Sequence, residues 1–143
     1  MIRPELSFVD ATILTALITP EPASDRALRA LRYGACSWIT SEISVAHCLS
    51  TLEGRGLALE GQQACLDRLL LVLRHGIGLR PLPLQALRPQ HPQPLPPLAL
   101  LQLQTALHWR CSSLISNDPA LVEAAKRAGL GAFSLMDPAP AHP

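Results

Sequence analysis

A chain of 143 residues, 48% apolar and 16% charged, is long enough to bury a core and too apolar to stay unfolded. Its net charge of +1 argues against a general attraction to nucleic acid or to a membrane surface. Aromatic residues make up only 3%, so aliphatic side chains must fill the core.

The first element, Leu6–Val9, reads as a short buried strand that ends at Asp10. Ala11–Ile18 reads as a short helix, stopped by Pro20 and Pro22. Ser24 is the expected N-cap of a helix through Tyr33, with Leu28 and Leu31 inward and Arg26, Arg29 and Arg32 outward. Gly34 ends it, and Cys36–Thr40 is expected as the second strand. Ser41 caps a helix to about Glu53, with Val45, Leu49 and Leu52 as its inward stripe. After Gly54 and Gly56, Ala58–Arg74 is expected as the longest helix, with Leu66, Leu69, Leu70 and Leu73 facing inward. A strand follows Gly76 and Gly78 and runs through Leu82.

Residues 81–97 hold seven prolines, half of the chain's 14, and cannot form a continuous helix. They read as a loop or extended connector. Leu98–Trp109 is helical in pattern, and Ser113–Ser116 reads as a strand. Asp118 then precedes a helix that opens on Pro119, a favoured first position, and ends at Gly129. Ala132–Leu135 is expected as an edge strand, and residues 137–143 as a disordered tail. Strands that alternate with helices predict one α/β domain over residues 1–136, a parallel sheet of four or five strands covered on both faces.

Charge is unevenly spread. Residues 1–67 carry five arginines and eight acids, whereas residues 68–117 carry Arg68, Arg74, Arg80, Arg88 and Arg110 and no acid. That stretch offers either a positive surface for phosphate or arginines solvated on several faces. Cys36, Cys48, Cys65 and Cys111 show no metal-ligand or redox spacing and read as free thiols, which implies a reducing, cytoplasmic setting. No signal peptide is convincing, and no apolar run is long enough to span a bilayer.

Asp10 and Asp118 both stand at the carboxyl end of a strand and before a helix. Ligands of parallel α/β sheets bind beyond those strand ends. A helix N-cap explains each aspartate singly, and a metal site explains the pair; the two roles can coexist.

Four segments carry a resemblance. Phe8-Val-Asp10-Ala-Thr-Ile-Leu14, Thr40-Ser-Glu-Ile-Ser-Val-Ala-His-Cys-Leu49, Leu98-Ala-Leu-Leu-Gln-Leu-Gln-Thr-Ala-Leu107 and Leu114-Ile-Ser-Asn-Asp118 together resemble, in order and spacing, the motifs of the PIN domain family. The likeness is nearest to its VapC-type toxin ribonucleases and spans most of the chain. It implies a three-layer α/β/α fold and hydrolysis of RNA by Mg²⁺ or Mn²⁺ held on clustered carboxylates, the metal activating the attacking water. It further implies an antitoxin protein as partner and a homodimer. Asp10 and Asp118 match two of the family's four acids and would be the catalytic metal ligands. Ser116 matches a small polar residue two before the last acid, with Asn117 beside it. His47 stands where the second acid is expected and Ala99 where the third is.

Two neighbours are possible substitutes. Glu42 precedes His47 by five residues, which turns the two side chains roughly 140° apart on a helix. Its simpler role is a negative charge in the first helical turn. His47 could itself ligate Mn²⁺, or be structural. Gln102, one turn after Ala99, could hold a water but brings no charge. With two acids for four, metal affinity and cleavage are expected to fall. The rival reading is a catalytically inactive PIN-like domain that binds RNA or protein. A signalling receiver ranks last, because that fold carries an acidic pair after its first strand and a phosphorylatable Asp after a later one, and this chain shows neither.

Overall fold

The structure, a computed structural model, describes residues 5–86 and 95–136. Leu6–Val9 (β1) leads to helix Ala11–Ile18 (α1), then Ser24–Tyr33 (α2), strand Ser37–Ser41 (β2), and helices Glu42–Gly54 (α3) and Leu59–His75 (α4). Strand Ile77–Arg80 (β3) and a 3₁₀ turn at Leu84–Ala86 follow. Helix Pro97–His108 (α5), strand Ser113–Ile115 (β4), helix Pro119–Arg127 (α6) and strand Gly131–Phe133 (β5) complete the fold.

The five strands form one parallel sheet in the order β3-β2-β1-β4-β5. Alternate residues of each strand serve opposite faces. Val9, Trp38, Ile77 and Ile115 join one apolar cluster with side chains of α1, α2, α3 and α4. Phe8, Ile39 and Leu114 join a second cluster with α5 and α6. The expected three-layer architecture with five parallel strands is therefore present.

Local differences have physical causes. Ser24 does not cap α2; the N-cap position is Ala23. The Ser24 hydroxyl instead accepts from Glu21 N and donates to the Thr19 carbonyl, closing the Pro20–Pro22 turn. Ala27 is buried on α2 in place of Leu28, which is exposed. On α3 the buried stripe is Ser44, Cys48 and Leu52, so Leu49 faces out and Val45 only borders the core. On α4 the buried pair is Cys65 and Leu69, and Leu70 is exposed. In both helices one expected leucine is buried, Leu52 on α3 and Leu69 on α4, and small residues complete the buried line.

The second strand is shifted one residue toward Ser41, and β3 ends at Arg80, because Pro81 has no N–H to continue a ladder. The last strand sits one residue earlier than expected and is one residue shorter. Of the Pro-rich connector, residues 87–94 lie outside the described residues, as does the tail from 137. Its last proline, Pro97, is the first residue of α5, where a missing N–H costs nothing.

Candidate functional site

The sheet order reverses between β1 and β4: the chain builds outward to β3 on one side and to β5 on the other. The connections from these two strands diverge, leaving a crevice beyond their carboxyl ends, the general ligand position of such sheets. Asp10 follows β1 there, and Ser116, Asn117 and Asp118 follow β4.

Asp10 is only 2% exposed. Its Oδ1 accepts from Thr12 N at 3.1 Å, from Ile13 N at 3.3 Å and from the Thr12 hydroxyl, so it caps α1. Its Oδ2 accepts from Ser116 Oγ at 2.6 Å. Burial pushes the Asp10 carboxyl above the ordinary aspartate range, and the bonds from Ser116, Thr12 and Ile13 oppose that shift. Ser116 Oγ also accepts from Asp118 N at 2.9 Å, so one hydroxyl ties the two strand ends together. Asp118 caps α6 through Ala120 N at 3.0 Å. Both aspartates are thus helix caps as well as strand-end acids.

Asn117 has a scaffolding arrangement. Its N–H donates to Thr12 Oγ1 at 2.8 Å, and its Oδ1 accepts from Leu135 N and Ser134 Oγ at 3.0 and 3.2 Å. These bonds pin the segment after β5 against the start of α1.

A cleft of about 280 Å³ opens beside these groups, lined by Thr12, Thr15, His47, Thr51 and Asn117 among others. His47 therefore reaches the crevice from α3. Its Nδ1 is enclosed without a hydrogen-bond partner among the described residues. Glu42 is exposed in the first turn of α3 and is not among the cleft's lining residues. Ala99 is buried in the second apolar cluster near Leu103.

Gln102 has a larger part than its sequence neighbourhood suggests. Its Oε1 accepts from Ala11 N at 3.2 Å and from Ser44 Oγ at 2.9 Å, and its Nε2 donates to the Leu98 carbonyl at 3.0 Å. The amide is a strut joining α1, α3 and α5, with its bonds spent on protein rather than water. Sequence reasoning also missed Glu21 and Arg55, which line the same cleft. Arg55 pairs with Glu21 at 3.4 Å, and Thr19 Oγ1 donates to Glu21 at 2.9 Å. Glu21 lies in the Pro20–Pro22 break, where nothing local marks it as part of a site.

Mg²⁺ and Mn²⁺ prefer a shell of about six oxygen ligands. Here one carboxylate already accepts four hydrogen bonds, and the other caps a helix. Among the described residues, no three His, Cys, Asp or Glu side chains converge to hold a cation. The donor set does not fit a tightly held divalent ion. What it does provide is a cleft lined by an imidazole and several hydroxyls, with the buried Asp10 behind Thr12; Asp10, Ser116 and Asp118 are not among the lining residues.

No family model and no curated protein sequence matches the chain. Solved structures do. VapC20 of Mycobacterium tuberculosis, described as a Sarcin-Ricin loop cleaving toxin, aligns at TM-score 0.64 and 14% identity over 82% of this chain and 94% of its own. PAE2754 from Pyrobaculum aerophilum aligns at TM-score 0.60 and 15% identity, covering 92% and 90%. A PilT N-terminus domain protein from Sulfolobus solfataricus P2 aligns at TM-score 0.54 and 15% identity, covering 91% and 87%. The chain has the fold of PilT N-terminus (PIN) domain proteins and of the VapC toxin.

Proposed function

We propose that this protein is a VapC-type PIN ribonuclease whose metal-dependent cleavage is weakened by the replacement of two acids, at His47 and Ala99. RNA would be the substrate, an antitoxin protein the partner, and the cytoplasm the place of action. Asp10 carries the reading: among the described residues it is the one fully buried acid, it sits at the reversal point of the sheet, and Ser116 links it to Asp118. Asp10 and Asp118 would hold Mg²⁺ or Mn²⁺ weakly, with Ser116 fixing the Asp10 carboxylate and His47 facing the cleft. The neighbour described as a Sarcin-Ricin loop cleaving toxin supports the same class of activity.

The test is cleavage of a structured RNA with Mn²⁺, together with Mn²⁺ titration. The natural protein should cleave slowly, and Asp10→Ala should abolish the activity. The double variant His47→Glu, Ala99→Asp should bind Mn²⁺ at least about tenfold more tightly, some 1.4 kcal/mol, and cleave faster. RNA binding that survives Asp10→Ala, with no cleavage by the natural or the double variant, would sink the enzyme reading in favour of a binding module.

A further inference from the structure

Helix α2 carries more positive charge than its own stability explains. It is held to the core by Ala27, with Ala30 and Leu31 packed at the edge. Arg26, Arg29, Arg32 and Tyr33 are all exposed, Tyr33 at 80%. Arg26, Arg29 and Tyr33 stand at i, i+3 and i+7 and share one outward face, with Arg32 on its flank. A cation in the last turn, such as Arg32, offsets the helix dipole, but one in the first turn, such as Arg26, opposes it. Arg29 and Arg32 make no ion pair among the described residues, although Asp25 shares the helix. The arginines are therefore not there to steady α2.

The stripe begins at the cleft. Arg26 Nη1 donates to the Leu135 carbonyl at 3.3 Å, and Leu135 N donates to Asn117 Oδ1 at 3.0 Å. Asn117 and Met136 both line the cleft, and so does Glu21, just before α2. From Arg26 to Tyr33 the helix rises about 10 Å, the length of about three stacked nucleotides at roughly 3.4 Å each. Guanidinium groups match phosphate oxygens in charge and geometry. An exposed aromatic ring beside such cations gives a base a face to stack on, the combination that holds single nucleic-acid strands. An acidic peptide would match the charge but leave the ring without a role.

We infer that the outward face of α2 is a docking track for a single-stranded stretch of RNA that leads to the cleft. Arg29 and Arg32 engage its phosphates, Tyr33 lies under a base, and Arg26 stands at the join with the cleft. The identity of the strand rests on the ribonuclease reading; the track itself requires neither cleavage nor a metal ion.

Fluorescence anisotropy with a labelled oligouridine of about twelve nucleotides, in chelator and across a salt series, tests it, with circular dichroism to confirm that each variant folds. The natural protein should bind, and more weakly as salt rises. Arg29→Gln with Arg32→Gln should weaken binding at least about tenfold at low salt and reduce the slope of log affinity against log salt by about 1.4, roughly 0.7 for each lost contact. Tyr33→Ala should weaken binding about tenfold at unchanged slope, and Tyr33→Phe should keep most of the natural affinity, because the ring supplies the stacking. Lys126→Gln with Arg127→Gln, the same loss of charge on α6, should leave binding near natural. RNA binding that ignores the α2 changes, or that the α6 pair weakens equally, would overturn the inference and leave the ribonuclease reading standing. So would binding that appears only with Mn²⁺. No RNA binding with or without Mn²⁺ would overturn both, and retention on phosphatidylserine vesicles in its place would assign the arginines to an anionic lipid surface.

Discussion

Asp10 shows how one buried residue meets opposing demands. Its carboxylate caps α1 and is tied to β4 through Ser116, yet burial disfavours its charge. The consequence is a pH dependence with a defined sign. Because burial raises its folded-state value above the ordinary 3.8, the native state holds a proton that the unfolded state has lost. Stability therefore falls as pH rises from about 3.8 to the raised value, and the cost is fully present above it. Asp10→Asn keeps an oxygen to cap α1 and removes the buried charge. In chelator, the variant should melt a few degrees above the natural protein at neutral pH, and the gap should close in acid. A variant that is less stable at neutral pH would mean that the Ser116 and Thr12 bonds outweigh the desolvation. At this scale the candidate site was half legible in sequence. Asp10, Asp118 and Ser116 declare themselves by position at strand ends. Gln102 and Glu21 do not, because Gln102 meets Ala11 across 91 residues of sequence and Glu21 lies in a proline-broken turn.

Elements follow simple rules of termination, and their exceptions are informative. α6 opens on Asp118 and Pro119 and ends at Gly129, whose φ of 93° favours a residue without a Cβ. α5 ends differently: Arg110, two residues past its last turn, adopts φ 56°. A left-handed conformation costs an ordinary L-residue roughly 1–2 kcal/mol, whereas glycine adopts it freely but loses more entropy on folding, about 0.5–1 kcal/mol. Arg110→Gly should therefore raise stability by about 0.5 kcal/mol, read as a higher urea midpoint at unchanged slope. No change would show that the guanidinium makes up the difference through its surroundings. Every strand and helix was legible from periodicity and breakers, whereas the inward faces of α3 and α4 were legible only in part, through Leu52 and Leu69. Ser44, Cys48 and Cys65 are buried beside Leu52 and Leu69, and such small side chains let a helix pack close to α1. The leucines that periodicity placed inside, Leu49 and Leu70, are exposed as a result.

For the whole molecule, the acid-free stretch and the sheet lead to different conclusions. Three of its arginines have separate surroundings: Arg68 donates to the Ile18 carbonyl, Arg80 lies over Trp109 at 5.7 Å, and Arg74 lines a surface groove with Leu70, Leu71 and Leu79. Arg88 lies outside the described residues. The charge that these three carry is thus divided among separate surroundings. The sheet, by contrast, divides the interior into two apolar clusters that β1 serves alternately, Phe8 to one and Val9 to the other. Side chains on opposite faces of a strand share few packing partners, so their energies should add. Ile13→Val trims the α1–α4 side, and Phe8→Leu trims the α5–α6 side. Each should cost about 1 kcal/mol, and the double variant should lose the sum to within about 0.5 kcal/mol, in one cooperative urea transition. A larger discrepancy would show that the sheet transmits strain between its faces. In that case a cavity under α5 would also disturb the cleft at Asp10, because the Gln102 strut joins that helix to α1 and α3.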